Sequence, residues 1–184
     1  MLPALGLLAA APLTSACEEP SWPTQVACVG DSITEGDGVS TPGETYPAVL
    51  QTLLGERTQV GGFGHSGATL MSAGAGNLPY TDQPEYAEAT RFVAEAGPAS
   101  RVAVVVLLGA NDSKAIVREP SARRGLPLID LQSSSAGHPE LLVDGVHPNA
   151  RGYASLAATV RDVLLAHPPK PQRRPAWWRR LLAH

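Results

Sequence analysis

Only two cysteines occur in the 184 residues, Cys17 and Cys28, which excludes a disulfide scaffold. Cys28 lies in an apolar run, where a buried free thiol is the expected state. A basic face is missing too. Fourteen Lys and Arg stand against 17 Asp and Glu, for a net charge of −3. Five of those bases (Lys170, Arg173, Arg174, Arg179 and Arg180) sit in the last 18 residues, which hold no acid. The rest of the chain therefore carries nine bases against 17 acids, a net −8. An acidic body excludes a nucleic-acid-binding domain, whose partner requires a positive surface. No apolar run is long enough for a clear transmembrane helix, there is no internal repeat, and no P-loop pattern is present. What remains is a 43% hydrophobic composition at a length that suits one domain with a real core.

The ends differ from the body. "MLPALGLLAAAPLTSA" before Cys17 is apolar and rich in small residues, like the core and cleavage region of a secretory signal, although no Lys or Arg precedes it. "TSAC" loosely resembles a bacterial lipoprotein box. The expected organisation is a leader over 1–20, a folded domain over 21–167 and a basic Pro/Trp/Arg tail over 168–184. The expected location is outside the cytoplasm of a bacterium: periplasmic, lipid-anchored or secreted. Membrane contact is expected only through a lipid anchor or the tail, where "WWRRLLAH" puts aromatics beside arginines.

Periodicity divides the body into alternating strands and helices. "TQVACVG" (24–30) predicts a buried strand ending at Gly30. "TYPAVLQTLLGE" (45–56) predicts a helix with Tyr46, Val49, Leu50, Leu53 and Leu54 on one face. "TQVGGFG" (58–64) is a weaker strand, and 83–97 a helix with Tyr86, Ala89, Phe92 and Val93 inward. "RVAVVVLLG" (101–109) is the clearest strand, and its unbroken apolar run predicts cover on both faces. "LPLIDL" (126–131) reads as another strand, and 151–167 as a helix with Tyr153, Leu156, Val160, Val163 and Leu164 on one face. Such alternation implies an α/β fold with a parallel sheet covered by helices. A strand order of 2-1-3 would put the loops after the first and third strands at the switch point, where ligands bind.

Four of the loops hold reactive residue types: "GDSIT" after the first strand, "GHSGAT" after the second, "GAND" after the third and "DGVHPN" after the fourth. Serine is a weak nucleophile and needs a base and an oxyanion site. Asp144 and His147 lie three apart, so the carboxylate can turn back to the imidazole Nδ1 and leave Nε2 for Ser32. The candidate oxyanion donors are the backbone N–H of Ser32, the backbone N–H of Gly67 and the side-chain amide of Asn111. His65 and His138 are rivals to His147 but lack an acid three residues earlier. Asp31 reads either as a further acid or as a helix N-cap. Tyr80 and Thr81 read as crevice or ordinary loop residues. Two ligands, Asp144 and His147, make a poor metal site.

Together, "GDSIT", "SGAT", "GAND" and "DGVHP" resemble, in order, the four blocks of the SGNH hydrolases, the GDSL-type esterases and lipases. The resemblance runs from about residue 26 to 166. It implies a flavodoxin-like three-layer fold that needs no metal or cofactor, with Ser32 as nucleophile, Asp144 and His147 completing a triad, and Ser32, Gly67 and Asn111 forming the oxyanion hole. The G-x-S-x-G elbow of another serine-hydrolase fold is absent. "GFGHSGATL" and "HPELLVDGVHPNARGY" resemble the carbohydrate-esterase branch, similar to sialate O-acetylesterases and acetylxylan esterases. The implied substrate is a small acyl ester, an acetylated sugar first. A lipid esterase or thioesterase is the alternative enzyme, and a shortened carbohydrate-binding relative without turnover is the alternative outside enzymes.

One departure stands out. Only 32 residues lie between Asn111 and Asp144, where the family has another strand and helix. One β-α unit is therefore expected to be missing, leaving about four strands instead of five. Closing a one-strand gap shifts the last strand by about 4.8 Å, and a misplacement of about 1 Å can already cost 100-fold in rate.

Overall fold

The structure is a computed structural model that describes residues 22–71, 78–97, 99–112, 127, 129 and 137–170. Its centre is β1 (Gln25–Gly30), whose six residues are all buried. β2 (Gln59–Gly64) and β3 (Val102–Leu107) flank it in the order β2-β1-β3, both parallel to it. This is the 2-1-3 order that puts the loops after β1 and β3 at the switch point. The carboxyl ends of all three strands meet at one edge, with Gly30 level with Gly64 and Leu107.

Four α-helices surround this sheet among the described residues: α1 (Ser32–Glu35), α2 (Tyr46–Leu54), α3 (Pro84–Glu95) and α4 (Ala150–Ala166). The main core lies on one face of the sheet. There Val26, Cys28 and Val105 meet Tyr46, Leu50 and Leu54 of α2 and Tyr153, Leu156 and Val160 of α4. Cys28 is the expected buried free thiol, and burial pushes its pKa up to about 12. The opposite face packs Val29 with Ala68, Tyr80 and Ala89, and Phe63 sits against Phe92 with ring centroids 5.3 Å apart.

Two expectations are corrected. Among the described residues β3 is not covered on both faces: Val104 and Val106 are 51% and 58% exposed. They share the face of Ala27 and Val29, whereas α3 packs mainly over β1 and β2. Tyr86 does not point inward and is 46% exposed, its ring edge-on to Tyr80. The sheet has three strands among the described residues. The expected strand over 126–131 lies outside the described residues except for Pro127 and Ile129, and Ile129 packs against the main core. The leader, Cys17 and the tail beyond Lys170 also lie outside them.

Candidate active site

Ser32 opens α1 directly after β1. Asp31 is its N-cap, and the Asp31 carboxylate accepts the Ile33 N–H at 3.1 Å. The capped turn points the first residue of the helix out from the sheet edge. Asp31 is only 1% exposed and Ser32 7%. Burial holds the Asp31 carboxyl above the usual carboxylate range, against the opposing pull of its backbone hydrogen bonds and of nearby His147. Of the two roles open to Asp31, the structure therefore shows the N-cap. The tight turn depends on Gly64 at the end of β2. A Cβ there would drive into the α1 backbone, at Glu35 N and within 2.5 Å of the Thr34 carbonyl carbon.

His147 and Asp144 arrive from the other side, on the loop that leads into α4. Val143 N–H donates to the His147 carbonyl at 2.9 Å and Asn149 N–H to the Leu141 carbonyl at 2.9 Å. Asn149 caps α4 by accepting from the N–H groups of Arg151 and Gly152, and its side-chain amide donates to the Glu140 carbonyl at 2.8 Å. The loop is thus clipped to the helix start, while Tyr153 one turn later is fully buried. The Tyr153 hydroxyl donates to the Asp37 carbonyl at 2.6 Å, which joins α4 to the segment after α1.

These anchors bring the two segments together. Ser32 Oγ lies 3.0 Å from His147 Nε2, and His147 Nδ1 lies 2.7 Å from Asp144 Oδ2. The other Asp144 oxygen accepts the N–H of His147 at 2.8 Å and of Val146 at 2.9 Å. The His147 backbone, the His147 ring and the Val146 N–H hold the Asp144 carboxyl far below the usual carboxylate range. An ionised partner on Nδ1 fixes the tautomer that leaves Nε2 free to accept a proton. The short connection from Asn111 therefore does not keep Ser32 and His147 apart.

Gly67 and Asn111 sit on the two flanking loops. Gly67 has φ +81°, a conformation only glycine takes without strain. Among the described residues neither the Gly67 nor the Ser32 backbone N–H donates to a protein acceptor. The Asn111 amide gives one hydrogen to the Ala68 carbonyl at 3.0 Å, which leaves its second for a ligand. Asp112 ties the same loops, accepting the N–H of Leu70 at 2.8 Å and of Met71 at 2.9 Å.

The remaining candidates fall elsewhere. Tyr80 belongs to the second core, 5% exposed, with its hydroxyl donated to the Phe63 carbonyl at 2.6 Å. Thr81 is an exposed loop residue whose hydroxyl reaches Asp82 at 3.4 Å. His65 pairs with Glu85 at 3.0 Å and His138 with Glu140 at 2.9 Å, and neither bonds Ser32. Among the described residues no group of three or more His, Cys, Asp or Glu could hold a metal ion. Sequence reasoning missed Asp37. Its Oδ2 stands 4.0 Å from His147 Nε2 and accepts the Ser66 hydroxyl at 2.9 Å. It also missed Glu35, which accepts the Ser66 N–H at 2.6 Å. The only signal was the repeated acid in "DSITEGD", which has no pattern of its own.

Residues 28–120 match the GDSL-like lipase/acylhydrolase family. Over 91 residues the chain is 37% identical to the acetylxylan esterase of Xylanibacter ruminicola, a stretch that is 49% of this chain and 17% of that protein. The chain thus spans a small part of that curated relative's length. The fold is similar to the solved structure of a proposed arylesterase from Agrobacterium tumefaciens str. C58. The TM-score is 0.52 at 21% identity, covering 77% of this chain and 100% of that one. A carbohydrate acetylesterase family member from Sinorhizobium meliloti gives a TM-score of 0.47 at 17% identity, covering 77% and 97%.

Proposed function

Because the chain belongs to the GDSL-like lipase/acylhydrolase family, we propose that it is a serine esterase for small acyl esters, first of all acetyl esters of carbohydrate. The observation that supports this most is the hydrogen-bonded line from Ser32 Oγ through His147 to Asp144, at 3.0 and 2.7 Å. The acetyl and carbohydrate part draws on the acetylxylan esterase that shares 37% identity over 91 residues.

In the proposed reaction Ser32 Oγ attacks the ester carbonyl carbon while its proton passes to His147 Nε2. Asp144 stays ionised and stabilises the imidazolium. The carbonyl oxygen becomes an oxyanion that the N–H groups of Ser32 and Gly67 and the free amide hydrogen of Asn111 receive. The bond to the alcohol oxygen then breaks, and that oxygen takes the proton from Nε2. Water attacks the acyl-serine by the same route, giving up its proton to Nε2, and the acid leaves as Ser32 recovers its hydrogen.

The test is covalent labelling with a fluorophosphonate, located by peptide mass spectrometry. We expect the label on Ser32, at a rate at least 1,000-fold lower in His147→Ala and with none in Ser32→Ala. A cooperatively folded chain that takes no label at Ser32 would overturn the reading and leave carbohydrate binding without turnover.

A further inference from the structure

Among the described residues the Asp37 carboxylate is the acid nearest to the working nitrogen of His147 that the triad does not use. Its Oδ2 is 4.0 Å from Nε2, the ring nitrogen that faces Ser32. Two bonds set its position. Ser66 Oγ donates to Oδ2 at 2.9 Å, and Ser66 N–H is itself held by Glu35 at 2.6 Å. The side chain is 49% exposed, so it forms part of the rim. Among the described residues its second oxygen, Oδ1, accepts no hydrogen bond from the protein.

The chemistry of the leaving group determines what meets this carboxylate. To take its proton, the departing alcohol oxygen must come within about 3 Å of Nε2. It then lies within about 7 Å of Asp37 Oδ2 from whatever direction it approaches. Where the alcohol departs on the Asp37 side, a hydroxyl on its next carbon comes within reach of this solvent-facing acceptor. An anionic group at the same place meets a like charge at short range, where repulsion is weakened but not abolished by solvent. We propose that Asp37 selects the alcohol half of the ester, accepting hydroxyls of neutral polyols and rejecting anionic alcohols. The substrate class is then the ester of a neutral sugar or polyol rather than of an acidic one. This inference rests on the esterase reading above.

The experiment compares kcat/KM for glycerol monoacetate, a neutral polyol ester, with that for O-acetylglycolate, an anionic ester of similar size. The native chain should favour the neutral ester. Asp37→Asn should raise the anionic-to-neutral ratio about three- to tenfold, mainly through KM for the anion, and Asp37→Lys should raise it further. Raising ionic strength from 0.02 to 0.5 M should raise the ratio more in the native chain than in Asp37→Asn. Glu95→Gln is the control for general charge. Glu95 is exposed at the far end of α3, near Phe92, whose carbonyl accepts from Gln25 at the opposite edge of the sheet. A ratio that moves no more in both Asp37 variants than in Glu95→Gln would overturn the inference while leaving the esterase reading intact. A native chain that hydrolyses neither ester and takes no label at Ser32 would overturn both.

Discussion

The two segments that meet at Ser32 and His147 are built in opposite ways. The Asp31–Ser32 turn grows out of a strand with every residue buried, and both residues are themselves almost inaccessible. The Asp144–His147 loop lies at the surface, with about half of the Asp144 side chain exposed, and is held by its own short hydrogen bonds and by the start of α4. The same residue type titrates in opposite directions in the two places. Burial raises the Asp31 carboxyl, whereas hydrogen bonds from His147 and Val146 lower that of Asp144. One side of the site is rigid because it is part of the core, and its carboxylate bears the cost of desolvation. The other side is shaped by local donors, and its carboxylate remains charged in water.

If that contrast is right, damage to the exposed loop should change activity without changing stability. The largest effect is expected for Asp144→Asn, a loss of about 10,000-fold in kcat on an acetyl ester with the thermal midpoint nearly unmoved. A large fall in the midpoint would mean that the loop is structural and would break the comparison. Next is Asn111→Ala, which removes one proposed oxyanion donor and should cost about 100- to 1,000-fold in kcat with little change in KM. Equal losses in kcat and in substrate affinity would instead make Asn111 a loop tie to Ala68.

The smallest effect, on the buried side, is one of stability and its pH dependence. With a raised folded-state pKa, Asp31 holds its proton to higher pH in the folded chain than in the unfolded one. Its ionisation therefore opposes folding as pH rises from the unfolded value through the folded value, and the penalty is complete above the latter. Asp31→Asn keeps an oxygen for the Ile33 N–H and removes the penalty. Its midpoint should exceed the native one by on the order of 2 °C at pH 8, and the gain should vanish below about pH 4, where both states hold the proton. A midpoint that falls at pH 8 would show that the ionised carboxylate is needed where it stands.

Much of this was legible in the sequence because local signals agreed. The buried "QVACVG" strand and the one-sided helices around Leu50 and Leu156 follow from hydrophobic period and alternation. The aspartate three residues before His147 announced its hydrogen bond because the spacing alone allows it. What failed was coverage. "VAVVVL" reads as buried on both sides, but whether a helix lies over Val104 and Val106 depends on where α3 packs, not on the strand. Tyr86 and Tyr80 are chemically alike in sequence. One is exposed and the other donates its hydroxyl to Phe63, because only Tyr80 lies under the loop that follows β2.

The sequence by itself determined the elements, their alternation, the buried state of Cys28 and the local pairing of Asp144 with His147, since each depends on residues within a few positions of one another. The tertiary structure decided the rest. Ser32 and His147 are 115 positions apart, and their 3.0 Å approach depends on β1 and α4 sharing a core. The nearness of Asp37 to that same nitrogen follows from how α1 ends and how Ser66 reaches it. Distances of this kind depend on packing between remote segments, which no periodicity in the chain encodes.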